Sequence, residues 1–542
     1  MTTQGGEQTA VEDSGGTSRQ PGWVRRHLWV MAVAVLAIVG GCATVYAWAV
    51  AAPAGASPDE DFHLTSAWCP MPLEKSCAVT YTSTGVPQVS VPDKVIDASH
   101  CYAFQPEQSA ACEGSLTDDN VWTSRVNDGM YPGGFYNVMH LFIGQNVFKS
   151  VVLMRLVNGG LAIGLMAVVA FLLPRTGRRL MAYATLAVVV PDMIYFVCSI
   201  NPSGWAMTGL AVAWFAMYAA FHAESRWRGI VSGVIALAGA AMGATARSDA
   251  GAYLAVAAVG ATILFFPQIR RQWWKIVVPC FVMAIGLVGF FSGNQTDILS
   301  TDLEPVYPNG QLQFLMNNLF QVPSLLIGYS GGSMGLNWVD TGMPAIVWIP
   351  VLLVSLGLVF WGLRRNDWRK VLTLAGVTLV FIGLPLYVLQ RGAYPVGQMV
   401  QPRYLMPLVP IIVAVALYRP GRGGASRLSR TQSVLAYLAL VGAQAVALHT
   451  QIRRFVTGVD VTTFNLNYQA EWWHAGPSPM MTWILGSVGF AVVALVLFVV
   501  SRGPNNQDVS VEPRQQAVIA DHEIPDPLPV SVAVHAIAEA DE

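Results

Sequence analysis

Charged residues make up only 12% of this 542-residue chain, about half of the roughly 25% usual in soluble domains. The shortage is even-handed, with 31 basic against 32 acidic side chains, so no basic stripe is available to meet a nucleic acid backbone. No Walker A loop or HExxH helix occurs, which removes the commonest phosphate-loop and zinc-protease chemistries. No internal repeat is present either, and that weighs against a transporter built from duplicated halves.

What fills the chain instead is apolar sequence. Hydrophobic residues account for 54% of it, gathered in runs of about 20, the length required by a bilayer core ~30 Å thick. Candidate spans fall at 28–50, 152–173, 180–200, 204–222, 229–247, 250–267, 276–292, 345–363, 370–389, 404–418, 432–450 and 479–501. Arg25/Arg26, Arg175/Arg178/Arg179, Arg226/Arg228, Arg270/Arg271/Lys275, Arg364/Arg365/Arg369/Lys370 and Arg419/Arg422/Arg427/Arg430 all occupy alternate connectors. The positive-inside rule places those connectors, and both termini, in the cytoplasm. The chain therefore reads as an all-α polytopic membrane protein of about 12 transmembrane helices with large extracytoplasmic loops. A disordered cytoplasmic tail is expected at 1–27, the membrane domain at 28–501 and a second disordered tail at 502–542. The two largest outer loops are 51–151 and 293–344.

The first run is too long for the h-region of a signal peptide, and so reads as an uncleaved anchor, although the Ala-rich stretch 51–56 resembles a cleavage site. Of seven cysteines, Cys69, Cys77, Cys101 and Cys112 share the first outer loop. An even set in an oxidising compartment predicts two disulfides, with three connectivities open; irregular spacing and the lack of any CxxC argue against zinc. Trp472 and Trp473, just before the last span, read as an interfacial aromatic belt. The apolar stretch 311–328 reads as an interfacial or re-entrant helix.

The densest chemistry is the segment Ser57-Pro58-Asp59-Glu60-Asp61-Phe62-His63, at the outer mouth of the first span. A capping box explains part of it, with Ser57 as N-cap, Pro58 at N1 and Glu60 at N3. That leaves Asp59, Asp61 and His63 unexplained, and on a helix Asp59 and His63 share a face.

An acidic pair opening a large outer loop resembles the polytopic glycosyltransferases of the GT-C type, which take sugars from polyprenyl-phosphate carriers. Four further stretches resemble a bacterial family of polytopic membrane proteins placed near that superfamily. They are Tyr131-Pro132-Gly133-Gly134-Phe135-Tyr136, Asn201-Pro202, Gly335-Leu336-Asn337-Trp338-Val339-Asp340-Thr341, and Gln401-Pro402-Arg403-Tyr404-Leu405-Met406-Pro407. The resemblance covers most of 28–420. The family often carries an Asp after Asn-Pro, where Ser203 stands here, so no role is carried to that position.

The resemblance implies a glycosyltransferase of the bacterial cytoplasmic membrane. It would move a hexose or pentose from a polyprenyl-phosphate donor to a cell-envelope glycan, lipid or protein. Asp59 or Glu60 would serve as general base, with Asp61, His63, Asp340 and Asp192 as candidates for support. Arg403, joined by Arg391, Gln401 and Tyr404, would bind the donor phosphate, because a guanidinium fork matches phosphate oxygens. Asp192 lies inside the third span, where an acid is functional by default; pairing with Arg247 is the plainer alternative. The sequence demands no cofactor and leaves a divalent metal open. The rival from another class is a transporter or flippase of a lipid-linked or small polar solute, which would carry charges near the bilayer midplane.

Overall fold

A computed structural model describes residues 21–117, 119–294, 307, 310–420 and 427–502. Most of the two expected tails, and part of the expected loop 293–344, lie outside the described residues. The principal helices are α1 (Pro21–Val50), α2 (Glu60–Trp68), α3 (Gly134–His140), α4 (Val147–Leu172), α5 (Arg175–Leu186), α6 (Ile194–Val197), α7 (Pro202–Phe221), α8 (Arg226–Ala244), α9 (Ser248–Leu264), α10 (Val277–Phe291), α11 (Gln311–Gly328), α12 (Ala345–Gly362), α13 (Trp368–Arg391), α14 (Pro402–Leu405), α15 (Val409–Leu417), α16 (Arg430–Val456) and α17 (Pro479–Arg502). Local signals set many of their starts. Asn146, Asn201, Ser225, Asp367 and Ser429 each accept a first-turn backbone N–H, and Pro202 follows Asn201 where a missing amide costs nothing.

Each segment expected to span is helical, and nine among the described residues are long and apolar enough to cross a membrane singly. Three differ, for reasons visible in their residues. The segment 180–200 turns by 90° between α5 and α6. Pro191 lacks an amide and forces Val190 out of helical geometry (φ −113°, ψ 136°). Helix α9 has 17 residues, about 25 Å at 1.5 Å per residue. The segment 404–418 is divided by Pro402, Pro407 and Pro410 into α14, a 3₁₀ turn at Met406–Leu408 and α15.

Helix α7 is buried on all sides and packs closely on α8, because glycines let the two backbones touch. A Cβ on Gly209 would stand 2.5 Å from Gly239 O. Large apolar side chains face outward on other spans, among them Phe171, Phe291 and Phe360 at 77–81% exposure. Such surfaces need a lipid environment.

The segment between α1 and α4 is not wholly helical, which corrects the all-α expectation. Strands β1 (Val79–Tyr81), β2 (Pro87–Pro92) and β3 (Asn120–Thr123) form an antiparallel sheet in that order. Val79 pairs with Val89, and Val91 with Val121. Val89 and Val91 point into the core, the two-residue period expected of a half-buried strand. Cys69–Cys77 and Cys101–Cys112 are disulfide-bonded, one of the three connectivities the sequence allowed. Trp472 is buried rather than interfacial and donates to Glu113 Oε1 at 2.6 Å. That bond, with Ser109 Oγ to Glu471 Oε2 at 2.5 Å, fastens the chain before α17 onto the 106–113 stretch.

Candidate active site

The site begins with backbone. Residues 51–58 leave α1 as an irregular strand, buried throughout, so their carbonyls must find protein partners. Arg155 of α4 donates to Ala49 O (3.1 Å), Ala52 O (2.6 Å) and Pro53 O (2.6 Å). Tyr102 Oη donates to Ala54 O, Trp338 Nε1 to Gly55 O (2.9 Å) and Tyr195 Oη to Ala56 O (3.3 Å). Asn201 Nδ2 (3.0 Å) and Arg403 Nη1 (3.1 Å) both donate to Pro58 O. The scattered motifs around Asn201, Trp338 and Arg403 thus converge on one stretch of main chain. They also bury the Ala-rich stretch that resembles a cleavage site.

That stretch delivers three carboxylates into three different environments. Glu60 is fully buried: it accepts from Arg155 Nη2 on both oxygens (3.1 and 3.0 Å), from Ile200 N (3.0 Å) and from Ser57 N (2.9 Å). Asp61 is buried and takes Arg125 in a two-pronged pair, 2.5 Å to Nε and 2.8 Å to Nη2. Asp59 alone meets solvent, with 44% of its side chain exposed. Its Oδ2 is 2.7 Å from Arg403 Nη2, and its Oδ1 is 3.8 Å from Arg125 Nη2.

The expected capping box is only half formed: Glu60 Oε2 accepts from Ser57 N at 2.9 Å, but the cap itself is displaced. Helix α2 starts at Glu60, Asp59 occupies the N-cap without a side-chain cap, and Ser57 Oγ has no partner. Asp59 adopts a left-handed backbone (φ 60°, ψ 16°), which Asp tolerates better than most residues but which is still strained. This turn precedes helix α2 and aims the Asp59 carboxylate at Arg403.

Around the pair lies a cationic and aromatic wall. The Arg403 guanidinium is buried, donates to Tyr404 Oη (3.1 Å) and lies over the Tyr404 ring at 5.1 Å. Arg247 lies over the same ring at 4.4 Å, and its fork grips Asp249 at 2.9 and 2.8 Å. His63 is buried one turn into α2, with Nδ1 2.9 Å from Tyr136 Oη. The Tyr131 ring meets it edge-on at 5.4 Å.

Burial works to raise the pKa of Asp59, but the charges of Arg403 and Arg125 outweigh it and hold the carboxyl below its usual range. Burial pushes His63 down to about 3, opposed by Asp59 and reinforced by Arg403, Arg247 and Arg125. The imidazole is neutral at pH 7, so the arginines account for the Asp59 shift there. A stability effect follows. Unfolded, the imidazole titrates near 6.5. Between that pH and about 3 the unfolded chain binds a proton that the folded chain refuses. Stability should therefore fall as pH falls, by up to about 1.4 kcal/mol per pH unit. Thermal melts from pH 7 to 4 should show a shallower loss in His63→Gln than in wild type; equal slopes would mean that the native imidazole is charged.

The other expected residues fall elsewhere. Asp340 accepts from Arg454 Nη2 at 2.9 Å and from Thr341 Oγ1 at 2.7 Å, a buried structural pair. Asp192 is buried at the 90° turn and does not take Arg247, which is held by Asp249; its Oδ1 has no hydrogen-bond partner. Gln401 stands at the N-cap of α14, half-buried. Arg391 ends α13 with an exposed side chain, and the arginines gathered with Arg403 are Arg247 and Arg125. Arg155 was overlooked in the sequence although it interrupts an apolar run, which is itself the mark of a paired or functional charge. Among the described residues no three His, Cys, Asp or Glu side chains converge as a metal-ligand set.

The site thus offers one solvent-facing carboxylate and one buried guanidinium, side by side and rigidly held. The first can take a proton and the second can bind an anion. A family model, DUF2142, described as a predicted membrane protein, matches residues 42–412. No curated protein and no solved structure matches the chain.

Proposed function

The chain belongs to this DUF2142 family of predicted membrane proteins, and we propose that it is a GT-C-like glycosyltransferase using a polyprenyl-phosphate sugar. The acceptor is a hydroxyl of the cell envelope. In this reading residues 51–146 lie outside the cytoplasmic membrane and both termini inside. The observation that carries the proposal is the Asp59–Arg403 pair, in which a carboxylate open to solvent and a buried guanidinium share one contact.

The pair is the resting state of the reaction. An incoming donor phosphate competes for Arg403 Nη2, and Asp59, released from that charge, becomes a stronger base. Asp59 takes the proton of the acceptor hydroxyl as its oxygen bonds to the anomeric carbon. The bond from that carbon to the phosphate oxygen breaks, and its electrons leave with the lipid phosphate. Arg403 stabilises this anion, with Arg247 across the Tyr404 ring adding positive potential. Glu60 and Asp61, fully engaged by Arg155 and Arg125, hold the turn in place.

The test is transfer from labelled polyprenyl-phosphate hexoses and pentoses to envelope glycan by purified protein in nanodiscs. Arg403→Lys replaces a fork by a point charge and should raise the donor KM by roughly 10-fold or more; it also gives up the bond to Pro58 O, so the melting temperature should fall by a few degrees in a protein that still folds. A folded wild-type protein that moves no sugar from any of these donors would overturn the reading.

A further inference from the structure

The second notable surface lies beside the segment that carries Asp59. Phe104 is 70% exposed and holds a left-handed backbone (φ 61°). Val339 is 41% exposed at φ 62°, and Asn337 has φ 60°. Such geometry is unfavourable for L side chains, above all for β-branched ones. Between these strained positions Phe104 meets Trp338 edge to face, ring centroids 5.4 Å apart.

Buried polar contacts hold this aromatic pair in place. Arg454, buried beneath it, joins both loops, donating from Nη2 to Tyr102 O (2.7 Å) and Asp340 Oδ2 (2.9 Å) and from Nη1 to Gln108 O (2.7 Å). The Cys101–Cys112 disulfide closes the loop that bears Phe104. Asn337 is fixed by Tyr195 (2.9 Å), Thr341 (2.8 Å) and Gln451 (2.9 Å). Folding alone does not call for an exposed Phe104 set on a half-buried Trp338 by so strained and so heavily braced a support.

The position says what the pair serves. Trp338 Nε1 donates to Gly55 O at 2.9 Å. Gly55 is four residues before Asp59, a chain distance of no more than about 14 Å. The composition of the rim says what it meets. Gln105, Glu107 and Gln108 are exposed beside Phe104, and neither 101–112 nor 331–344 contains a Lys or Arg. Segments held on an anionic lipid surface by charge carry cations to meet it. Amides and a carboxylate instead suit the hydroxyls that ring a sugar, whose C–H face packs on an aromatic ring.

We propose that Phe104 and Trp338 form a carbohydrate subsite that stacks on a ring of the acceptor glycan a short way from the point of transfer. The assignment rests on the glycosyl-transfer reading for its role, but its binding can be measured without turnover.

The experiment uses the full chain in nanodiscs and uniform hexasaccharides of glucan, mannan, galactan, arabinan and chitin type, with binding read by calorimetry. At least one should bind wild type. Phe104→Leu should weaken it by about 10-fold, the scale of an aromatic contact, and Phe104→Tyr should restore it. Failure of all five to bind, or equal binding by Phe104→Leu, overturns the subsite. A second arm places a fluorophore on Phe104→Cys in a Cys42→Ser, Cys280→Ser background. Quenching by brominated lipid in 3:1 phosphatidylcholine–phosphatidylglycerol would identify a membrane anchor and overturn it too. Glycan binding that depends on Phe104, without sugar transfer, would sink the enzymatic reading alone. Transfer with no effect of Phe104→Leu on acceptor KM would sink the subsite alone.

Discussion

Asp59→Asn is expected to slow sugar transfer ~10²–10⁴-fold, the usual worth of a general base, in a protein that still folds. Asparagine keeps the size of the side chain and tolerates the left-handed backbone at this position. It gives up the ion pair with Arg403 and the ability to take a proton. Because nearly half of the Asp59 side chain is exposed, solvent screens the pair, and the loss of stability should be about 1 kcal/mol or less. Initial rates with labelled donor, beside a melting curve of the same preparation, check both halves. Wild-type turnover in Asp59→Asn would remove the base from the proposed mechanism.

The opposite pattern is expected one residue later. Glu60→Gln leaves Arg155 charged, buried and facing a neutral amide. Removing one partner of a buried ion pair costs about 3–5 kcal/mol. The damage should spread, because the same arginine secures Ala49, Ala52 and Pro53. Glu60→Gln should therefore melt far earlier or fail to accumulate in the membrane. Any folded fraction should retain more activity per molecule than Asp59→Asn. A stable Glu60→Gln protein with abolished turnover would transfer the catalytic role from Asp59 to Glu60.

The contrast between these neighbours was not visible in the sequence, where both are acids in a single cluster. Their difference depends on cations brought from elsewhere: Arg155 from within α4, Arg125 from beyond β3, and Arg403 from α14. Of these, only Arg403 stood out in the sequence, because it sits in a motif; Arg155 was missed although charge in an apolar run is costly, and Arg125 carried no such mark. The motifs around Asn201 and Trp338 were also legible as motifs, but their work was not. They hold the 52–58 main chain, a task defined by where carbonyls lie and not by which residues neighbour them in sequence.

Helix placement is different in kind. Transfer of an apolar run into lipid is a sum over adjacent residues, so run length located the helical segments; it did not show the breaks that Pro191, Pro402, Pro407 and Pro410 make within two of them. An even set of loop cysteines likewise foretold two disulfides, but not their partners, which needed the folded distances among the four sulfurs. The sequence by itself determined a helical membrane protein with an acidic cluster after its first helix. Only the tertiary structure decided that Asp59 is the carboxylate left open beside a buried arginine. Solvent exposure and charge pairing arise from groups far apart in the chain, and no local pattern encodes them.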